Sequence, residues 1–272
     1  MARLMYGHVL ANGIRINYYR TGGEKPPVVL LHGLSDYGMC WGRFPVFLEP
    51  SYDVVAMDMR GHGMSDKPKS GYRYEELAAD VLWVIRTLNL LKPVVVGHSM
   101  GAGTAAVLAE INPQYISGIV LEDPPWHPSS LIRTSAEREN NAAEYQKTIE
   151  DYKNKSLQDI IQICKERHPN WDETEFLQWA KGKQLTSPHT AEYLRVEQRD
   201  WIDTVKNLRV PGLLLTADVE RGAIVTPETA QEVVENWKQG KVVHLPGAGH
   251  SIHREQYYKY RDEVKRFLRQ VW

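Results

Sequence analysis

The chain has 272 residues, 42% of them hydrophobic and 25% charged, so it is long enough and apolar enough to bury a large core. Its formal net charge of -1, without any run of like charges, excludes the basic surface that nucleic acids and anionic membranes attract. Two cysteines far apart exclude a disulfide framework, and no apolar run reaches the roughly 18 residues of a membrane span.

The first predicted element is a β-hairpin. Residues 8–20, HVLANGIRINYYR, contain Asn12-Gly13, which is a strong signal for a two-residue hairpin turn. The residues before this segment lack the apolar core of a signal peptide. We therefore expect a cytoplasmic protein.

Six apolar segments after the hairpin have the composition and length of buried strands. They are residues 28–33, 52–58, 93–99, 116–123, 211–218 and 241–247. Helical stripes of apolar residues alternate with them. The clearest stripes are Leu77, Val81, Val84, Ile85 and Leu88, and Tyr260, Val264, Phe267, Leu268 and Val271. This alternation predicts an α/β fold with a mostly parallel sheet covered by helices on both faces.

Residues 94–103, VVVGHSMGAG, place a serine between glycines on a turn from a strand to a helix. Gly97 and Gly101 stand two positions before and after Ser99, where larger side chains would collide with the neighbouring strand and helix. A serine on such a turn projects its hydroxyl away from the sheet. The following helix offers backbone N–H groups to a developing anion. The pattern predicts that Ser99 is a nucleophile.

A long segment between the sixth and seventh core segments lacks convincing strand signals. Residues 127–205 are polar and helical in character, and a bare loop of that length is uncommon. We predict a helical cap at 127–205, inserted after strand 6 into a core of residues 1–126 and 206–272. Four tryptophans either fill the interior of this insertion or line an apolar pocket. They are Trp126, Trp171, Trp179 and Trp201.

Four motifs lie outside the predicted cap, in the order LLHGLSDYGMCW, DMRGHGMSDKP, GHSMGAG and LPGAGHSIHREQ. Together they resemble the α/β-hydrolase superfamily, and specifically its small cap-bearing members of the serine esterase and lactonase type. The resemblance implies an α/β-hydrolase fold with an eight-stranded, mostly parallel sheet flanked by helices. It also implies that the strand ends carry a nucleophile, an acid and a histidine in that chain order.

By this resemblance the general base is His250, which follows the last strand and precedes the last helix. A neutral imidazole can take a hydroxyl proton near pH 7 and return it to a leaving group. His253 is interpreted as structural, and a metal site on these two histidines would lack acidic or cysteine partners in the sequence. His32 and His62 lie in glycine-rich loops, where hydrogen-bonded structural roles are expected.

The triad acid stays open at this level. Most of the superfamily takes it from the loop after strand 7, but LLLTADVERGAIVTPE places Asp218 too early and Glu220 near the usual offset, with two extra residues in the loop. A minority takes it from the end of strand 6, where Asp123 follows Ser99 by 24 residues. We prefer Asp123, with Asp218 as the alternative and Glu220 third. The acid must fix the tautomer of the imidazole.

The resemblance also implies an oxyanion hole made of two backbone N–H groups. One belongs to Met100, directly after the candidate nucleophile, and the other to Leu34, after the His32-Gly33 pair. Because both groups donate from the main chain, the side-chain types at these positions are uninformative.

These features predict a serine hydrolase that cleaves small carboxylic esters or lactones through an acyl-enzyme. We expect a small-molecule substrate, no cofactor or metal, no nucleic-acid or membrane partner, and a monomer or homodimer. Two alternatives stay open, namely a cofactor-free haloperoxidase or perhydrolase using the same triad, and a ligand-binding receptor on the hydrolase fold. GHSMGAG lacks the spacing of phosphate- and dinucleotide-binding loops, which argues against a nucleotide ligand.

Overall fold

An eight-stranded sheet organises the part of the chain that the computed structural model describes, residues 4–128 and 133–272. Its strands are β1 (Met5–Ala11), β2 (Ile14–Arg20), β3 (Pro27–Leu31), β4 (Asp53–Met57), β5 (Val94–His98), β6 (Gly118–Glu122), β7 (Gly212–Thr216) and β8 (Gly240–His244). The spatial order is β1-β2-β4-β3-β5-β6-β7-β8. Only the pairings that involve the β1–β2 hairpin are antiparallel, which confirms the predicted, mostly parallel sheet.

The hairpin turns where its sequence predicts. Asn12 and Gly13 both have positive φ, 50° and 80°, as a type I′ turn requires. The turn joins Ala11 directly to its partner Ile14 in the antiparallel register. This turn fixes the register of the whole hairpin because the side chains alternate between the two faces of the sheet.

Helices cover the sheet on both faces. In the described residues they are α1 (Phe44–Leu48), α2 (Tyr74–Thr87), α3 (Met100–Ile111), α4 (Ser135–Lys153), α5 (Leu157–Arg167), α6 (Glu173–Leu185), α7 (Glu192–Arg195), α8 (Trp201–Asn207), α9 (Pro227–Asn236), α10 (Ile252–Glu255) and α11 (Tyr257–Val271). Among these helices, none is both long enough and apolar enough to span a membrane.

The alternation of side chains along each strand produces two separate apolar layers. In β5, Val95 packs with α2 and α3 on one face, while Val94 and Val96 pack with α1 and α11 on the other. Burying a valine side chain is worth roughly 1.5 to 3 kcal/mol, so both faces contribute strongly to stability. The valine run that indicates a buried strand is therefore explained by helices on both sides.

The register of β5 and β6 determines the positions of the residues that follow them. His98 pairs with Glu122, so the two parallel strands end at the same level of the sheet. The next residues, Ser99 and Asp123, therefore leave adjacent strand ends. The Ser99 N–H also donates to the Glu122 carbonyl at 2.9 Å.

Helices α4 to α8 lie between β6 and β7 in the chain, within or across the end of the predicted cap. Helices α4, α5 and α6 share a small apolar core of their own, whereas Tyr193 of α7 and Val205 of α8 belong to the larger core. The small core contains Ile149, Tyr152, Ile160, Cys164, Trp171, Phe176, Trp179 and Ala180. Trp126 and Trp201 instead stack on each other, with ring centroids 5.4 Å apart, and pack on the larger core beneath α3. The boundaries 126/127 and 205/206 stay predictions.

Candidate active site

Ser99 occupies a strained turn between β5 and α3. Its φ of 52° and ψ of -117° are uncommon for a residue with a side chain. A Cβ on Gly97 would lie 2.3 Å from the Gly101 carbonyl oxygen, and one on Gly101 would lie 2.1 Å from the Leu31 carbonyl oxygen. The two glycines are thus required by backbone contacts, as the sequence pattern indicates.

Asp123 is fully buried at the end of β6 and contacts the imidazole of His250. The His250 Nδ1–H donates to Asp123 Oδ2 at 2.6 Å, which leaves Nε2 as the proton acceptor of the neutral ring. The backbone N–H groups of Ile224 and Val225 donate to the same carboxylate at 2.9 to 3.1 Å. Asp123 has a φ of 40°, a second strained residue at this site.

The two other candidate acids lie elsewhere. Asp218 accepts hydrogen bonds from the Gly247 N–H at 2.7 Å and from His244 Nε2 at 3.0 Å. The Gly247 bond is the main cause of the lowered pKa of Asp218. Glu220 is exposed on the 3₁₀ turn Val219–Arg221, at the edge of the cavity that His250 lines. The structure therefore brings Asp123, and neither of these, to His250.

The loop after β3 contains Leu34, the predicted partner of Met100 in an oxyanion hole. Leu34 lines the same cavity as Ser99, and Met100 begins α3. The next residue, Ser35, has a φ of 66°, and its N–H donates to His62 Nε2 at 3.2 Å. The expected structural role of His62 thus includes holding the backbone of this loop.

Helix α6 holds the same loop from the side of the predicted cap. Lys183 Nζ donates to the Ser35 hydroxyl at 2.7 Å and lies 3.4 Å from Asp36 Oδ1. Arg254 donates from Nη2 to Asp36 Oδ2 at 2.9 Å. Burial alone would raise the pKa of Asp36, but the charges of Arg254 and Lys183 hold it well below its usual range. A Cβ on Gly182 would lie 3.1 Å from the Ser35 carbonyl oxygen, so this glycine lets α6 approach.

Sequence reasoning missed Lys183 and Arg254. Asp36 belongs to the LSDYG part of a quoted motif, but its two cations come from distant parts of the chain, 147 and 218 residues away. Arg254 follows His253 inside the motif that carries the candidate base. Its position there is the one signal that could have identified it.

A buried group of polar residues lies behind the candidate triad. His98 Nε2 donates to the His250 carbonyl at 3.0 Å, and His253 donates from both its backbone N–H and its Nδ1–H to Glu122 Oε1 at 2.8 Å. Burial is the largest cause of the lowered pKa of His98, about 3, and of the raised pKa of Glu122.

The potential ligand atoms of His98, Glu122 and His253 lie within 4.8 Å of one another, a spacing that could hold a metal ion. However, His98 Nε2 and Glu122 Oε1 are already engaged in the hydrogen bonds described above. A metal would have to displace these bonds or use the remaining atoms. The donor set is therefore better explained as internal support for the segment that carries His250.

Ser99, Leu34 and His250 line one cavity of about 880 Å³. Trp171 and Trp179 also line it, so these two tryptophans both fill the small core of the insertion and face the cavity. Trp126 and Trp201 line a separate cavity of about 370 Å³. A serine and an imidazole paired with a buried carboxylate at one cavity are a nucleophile and a base of the kind that acyl transfer requires, and the oxyanion-hole role of Leu34 and Met100 stays a prediction.

Comparisons with known proteins identify the fold family. Residues 26–257 match the family model described as alpha/beta hydrolase fold. N-formylmaleamate deformylase of Pseudomonas putida is 35% identical over 265 residues, 90% of each chain. A Synechocystis protein provisionally named a non-heme chloroperoxidase is 27% identical over 268 residues, 92% of each chain. The crystal structure of E-2-(acetamidomethylene)succinate hydrolase superposes with a TM-score of 0.82 at 22% identity, covering 98% of this chain and 99% of that one.

Proposed function

Because the chain belongs to the alpha/beta hydrolase fold family, we propose that it is a serine hydrolase that cleaves small carboxylic esters or lactones through an acyl-enzyme. One observation carries the proposal. His250 is bonded through Nδ1 to the buried Asp123 carboxylate and lines the same cavity as Ser99 on its strained turn. Asp123 is accordingly assigned as the triad acid.

In the first half of the reaction, His250 Nε2 accepts the Ser99 hydroxyl proton as the oxygen attacks the carbonyl carbon. Asp123 stabilises the imidazolium that forms and keeps its Nδ1–H directed away from the serine. The N–H groups of Leu34 and Met100 donate to the oxyanion of the tetrahedral intermediate. Collapse of the intermediate expels the alcohol, which takes the proton from His250.

In the second half, water attacks the acyl-enzyme. His250 accepts a proton from that water and then returns a proton to the Ser99 oxygen as the acid product leaves. For a lactone, the alcohol and the acid are parts of one product molecule. In this proposal, His250 carries every proton that is transferred in the two steps.

We propose that the cap predicted at residues 127–205, inserted into a core of 1–126 and 206–272, sets the selectivity for the acyl and alcohol parts of the substrate. The cap contributes Trp171 and Trp179 to the cavity wall. Aromatic faces bury apolar substrate carbon at little conformational cost. Substrate selectivity then depends on residues 127–205, the part of the chain with the weakest sequence pattern.

A second candidate reaction is hydrolysis of a C–N bond in an amide or N-formyl group. The relative at 35% identity is named a deformylase and matches 90% of this chain. The same nucleophile, base and oxyanion donors serve amides, provided that His250 protonates the departing nitrogen.

Replacing Ser99 by alanine tests the nucleophile. We expect Ser99→Ala to lower kcat for aryl esters and small lactones by on the order of 10³-fold or more, because the acyl-enzyme cannot form. The measurement is hydrolysis of a graded ester and lactone panel, with labelling by a fluorophosphonate probe as the second readout. Labelling of the variant at the wild-type level would contradict the assignment.

Further substrates, tested on the same protein, distinguish the remaining candidate functions. N-formyl and simple amide substrates test C–N cleavage, and peroxyacid formation from acetate and hydrogen peroxide tests the perhydrolase alternative. A ligand-binding receptor would bind small esters or lactones without turning them over. Turnover that disappears in Ser99→Ala therefore supports a hydrolase, whereas saturable binding of the panel with no product supports the receptor.

A further inference from the structure

The wall that the predicted cap contributes to the cavity is basic. Arg167 at the end of α5 and Lys183 in α6 both line the cavity, together with His168. Among the described residues of the cap, no carboxylate lines it. The cap therefore adds positive charge, and no negative charge, to the space that Ser99 lines.

Arg254 places a second buried cation beside Lys183. Their side chains are 3% and 9% exposed, and both contact the Asp36 carboxylate. The next carboxylate, Glu175, lies 3.6 Å from Arg254 Nε without a hydrogen bond, and burial raises the pKa of Glu175. Asp36 is thus the carboxylate that both cations contact, and Glu175 is a more distant partner of Arg254 alone.

Arg254 also has N–H groups that make no hydrogen bond to the described residues. Its Nη2 donates to Asp36 and to the Cys40 carbonyl, while neither Nε nor Nη1 has a hydrogen-bond partner among the described residues. The guanidinium carbon lies 4.8 Å from the centroid of the Trp171 ring, and this residue lines the cavity. A guanidinium with free donors is the group best suited to a carboxylate.

His168 is affected by the same cluster of charges. Burial, followed by the charges of Arg254, Lys183 and Arg167, lowers the pKa of His168 to about 4. Arg167, Lys183 and Arg254 line the same cavity as His168. The His168 ring stacks on Trp171 with centroids 3.9 Å apart.

From this arrangement, and resting on the proposed function, we infer that Lys183, Arg254 and Arg167 form a subsite for a carboxylate of the substrate. The substrates are then esters, lactones or related acyl compounds that carry a second, ionised carboxyl group. That carboxylate accepts hydrogen bonds from the cations of the cavity wall, in addition to their ion pairs with Asp36 and Glu175. A neutral substrate of the same size would leave the buried cations without it, at the cost of unmade charged hydrogen bonds.

Matched pairs of esters test the subsite. Monomethyl succinate, glutarate and adipate replace the terminal methyl of methyl butyrate, pentanoate and hexanoate by a carboxylate, so each pair differs at one end only. For at least one chain length we expect kcat/KM to be about tenfold or more higher for the acid, mainly through a lower KM. Raising the salt concentration to about 0.5 M should reduce this preference because charge attraction is screened. Equal or better turnover of the neutral ester in all three pairs would overturn the inference.

Two variants locate the subsite. Lys183→Met should lower the preference for the acid over its neutral partner by about tenfold, in addition to any loss of kcat common to both through the loop at Ser35. Arg221→Gln is the matched control, because Arg221 lines the same cavity from the loop after β7. We expect it to change the preference by less than about threefold. An unchanged preference in Lys183→Met, or equal losses in both variants, would contradict the assignment.

Binding separates this inference from the proposed function. In Ser99→Ala, calorimetric titration with succinate, glutarate and adipate should detect saturable binding that salt weakens. If neutral esters are hydrolysed and no dicarboxylate binds below about 10 mM, the subsite is wrong and the hydrolase stands. If dicarboxylates bind and no ester, lactone or amide is hydrolysed, the proposed function is wrong and the subsite stands.

Discussion

At the scale of single residues, the Asp123 carboxylate has a specific consequence for catalysis. Asp123→Asn should leave the fold intact and lower kcat by on the order of 10³ to 10⁴, because an amide can favour the wrong tautomer of His250. Asp218→Asn is the matched control. It changes only the bonds to Gly247 and His244, with little effect on stability or kcat. Steady-state kinetics of both variants makes the comparison, and the opposite ranking would return the acid to the loop after β7.

His62 gives a prediction about pH. Burial, reinforced by the charge of His32, lowers the pKa of His62 to about 3, whereas an unfolded histidine titrates near 6.5. Because the folded pKa is depressed, His62 contributes its full stability above about pH 6.5 and loses it as the pH falls from there toward 3. The loss at pH 4.5 is on the order of 3 kcal/mol relative to neutral pH.

The His62→Gln variant isolates this contribution, since glutamine can accept the Ser35 N–H but does not titrate. Urea unfolding of the wild type and the variant at several pH values measures the difference in their free energies of unfolding. We expect that difference to shrink as the pH falls below 6.5. A difference that stays constant from pH 7.5 to pH 4.5 would show that His62 titrates normally in the folded protein.

At the scale of elements, the close contact between α3 and β3 makes glycine more favourable than alanine at one helical position, the reverse of their usual helix propensities. Alanine normally stabilises a helix by about 1 kcal/mol relative to glycine. Gly101→Ala should instead destabilise the protein by about 2 kcal/mol or more, because the new Cβ would lie 2.1 Å from the Leu31 carbonyl oxygen. Urea unfolding measures the change. Ala143→Gly, on the exposed side of α4, reports the propensity alone and should cost about 1 kcal/mol.

The strands were predictable because a buried parallel strand carries its own signal. Each of the six apolar segments overlaps a strand of the sheet, and the Asn12-Gly13 hairpin turns at the expected pair. Strands β3 to β7 are fully buried as predicted, whereas the prediction of a buried strand is wrong for β8, which lies at the edge of the sheet and is only partly buried. For the insertion, the sequence predicts helices but neither their individual bounds nor their packing. Their packing depends on contacts between residues far apart in the chain, such as Tyr152 with Trp179, which no local periodicity reports.

The loop after β7 shows why the acid could not be assigned from local pattern alone. The loop contains the 3₁₀ turn Val219–Arg221, which ends at Gly222 in the left-handed region. The loop contributes the N–H groups of Ile224 and Val225 to the carboxylate of Asp123, while its own Asp218 bonds to His244 and Gly247. The departure of this loop from the usual sequence pattern indicates that its role has changed. The structure is needed to identify the N–H groups of Ile224 and Val225 as donors to Asp123.

At the scale of the whole molecule, the sheet places the candidate triad and the insertion completes its surroundings. Ser99 and His250 follow from motifs at strand ends, and their catalytic roles stay predictions until the variants are measured. Lys183, Arg254 and Asp36 could not be grouped from the sequence, because three distant segments meet there. The partners of a long-range ion pair have no fixed separation in the sequence, whereas the glycines of a strained turn do.

The adjacency of β5 and β6 also affects how the site assembles during synthesis. Ser99 and Asp123 directly follow the two strands of one unit, β5–α3–β6, whereas 127 residues separate Asp123 from His250. Closing the longer loop costs about 1.5 kcal/mol more in chain entropy, and it requires the C-terminal segment to be made. Domains fold largely as the chain emerges, N-terminal parts first. We therefore expect the nascent chain to remain inactive until residues 250–272 leave the ribosome and dock.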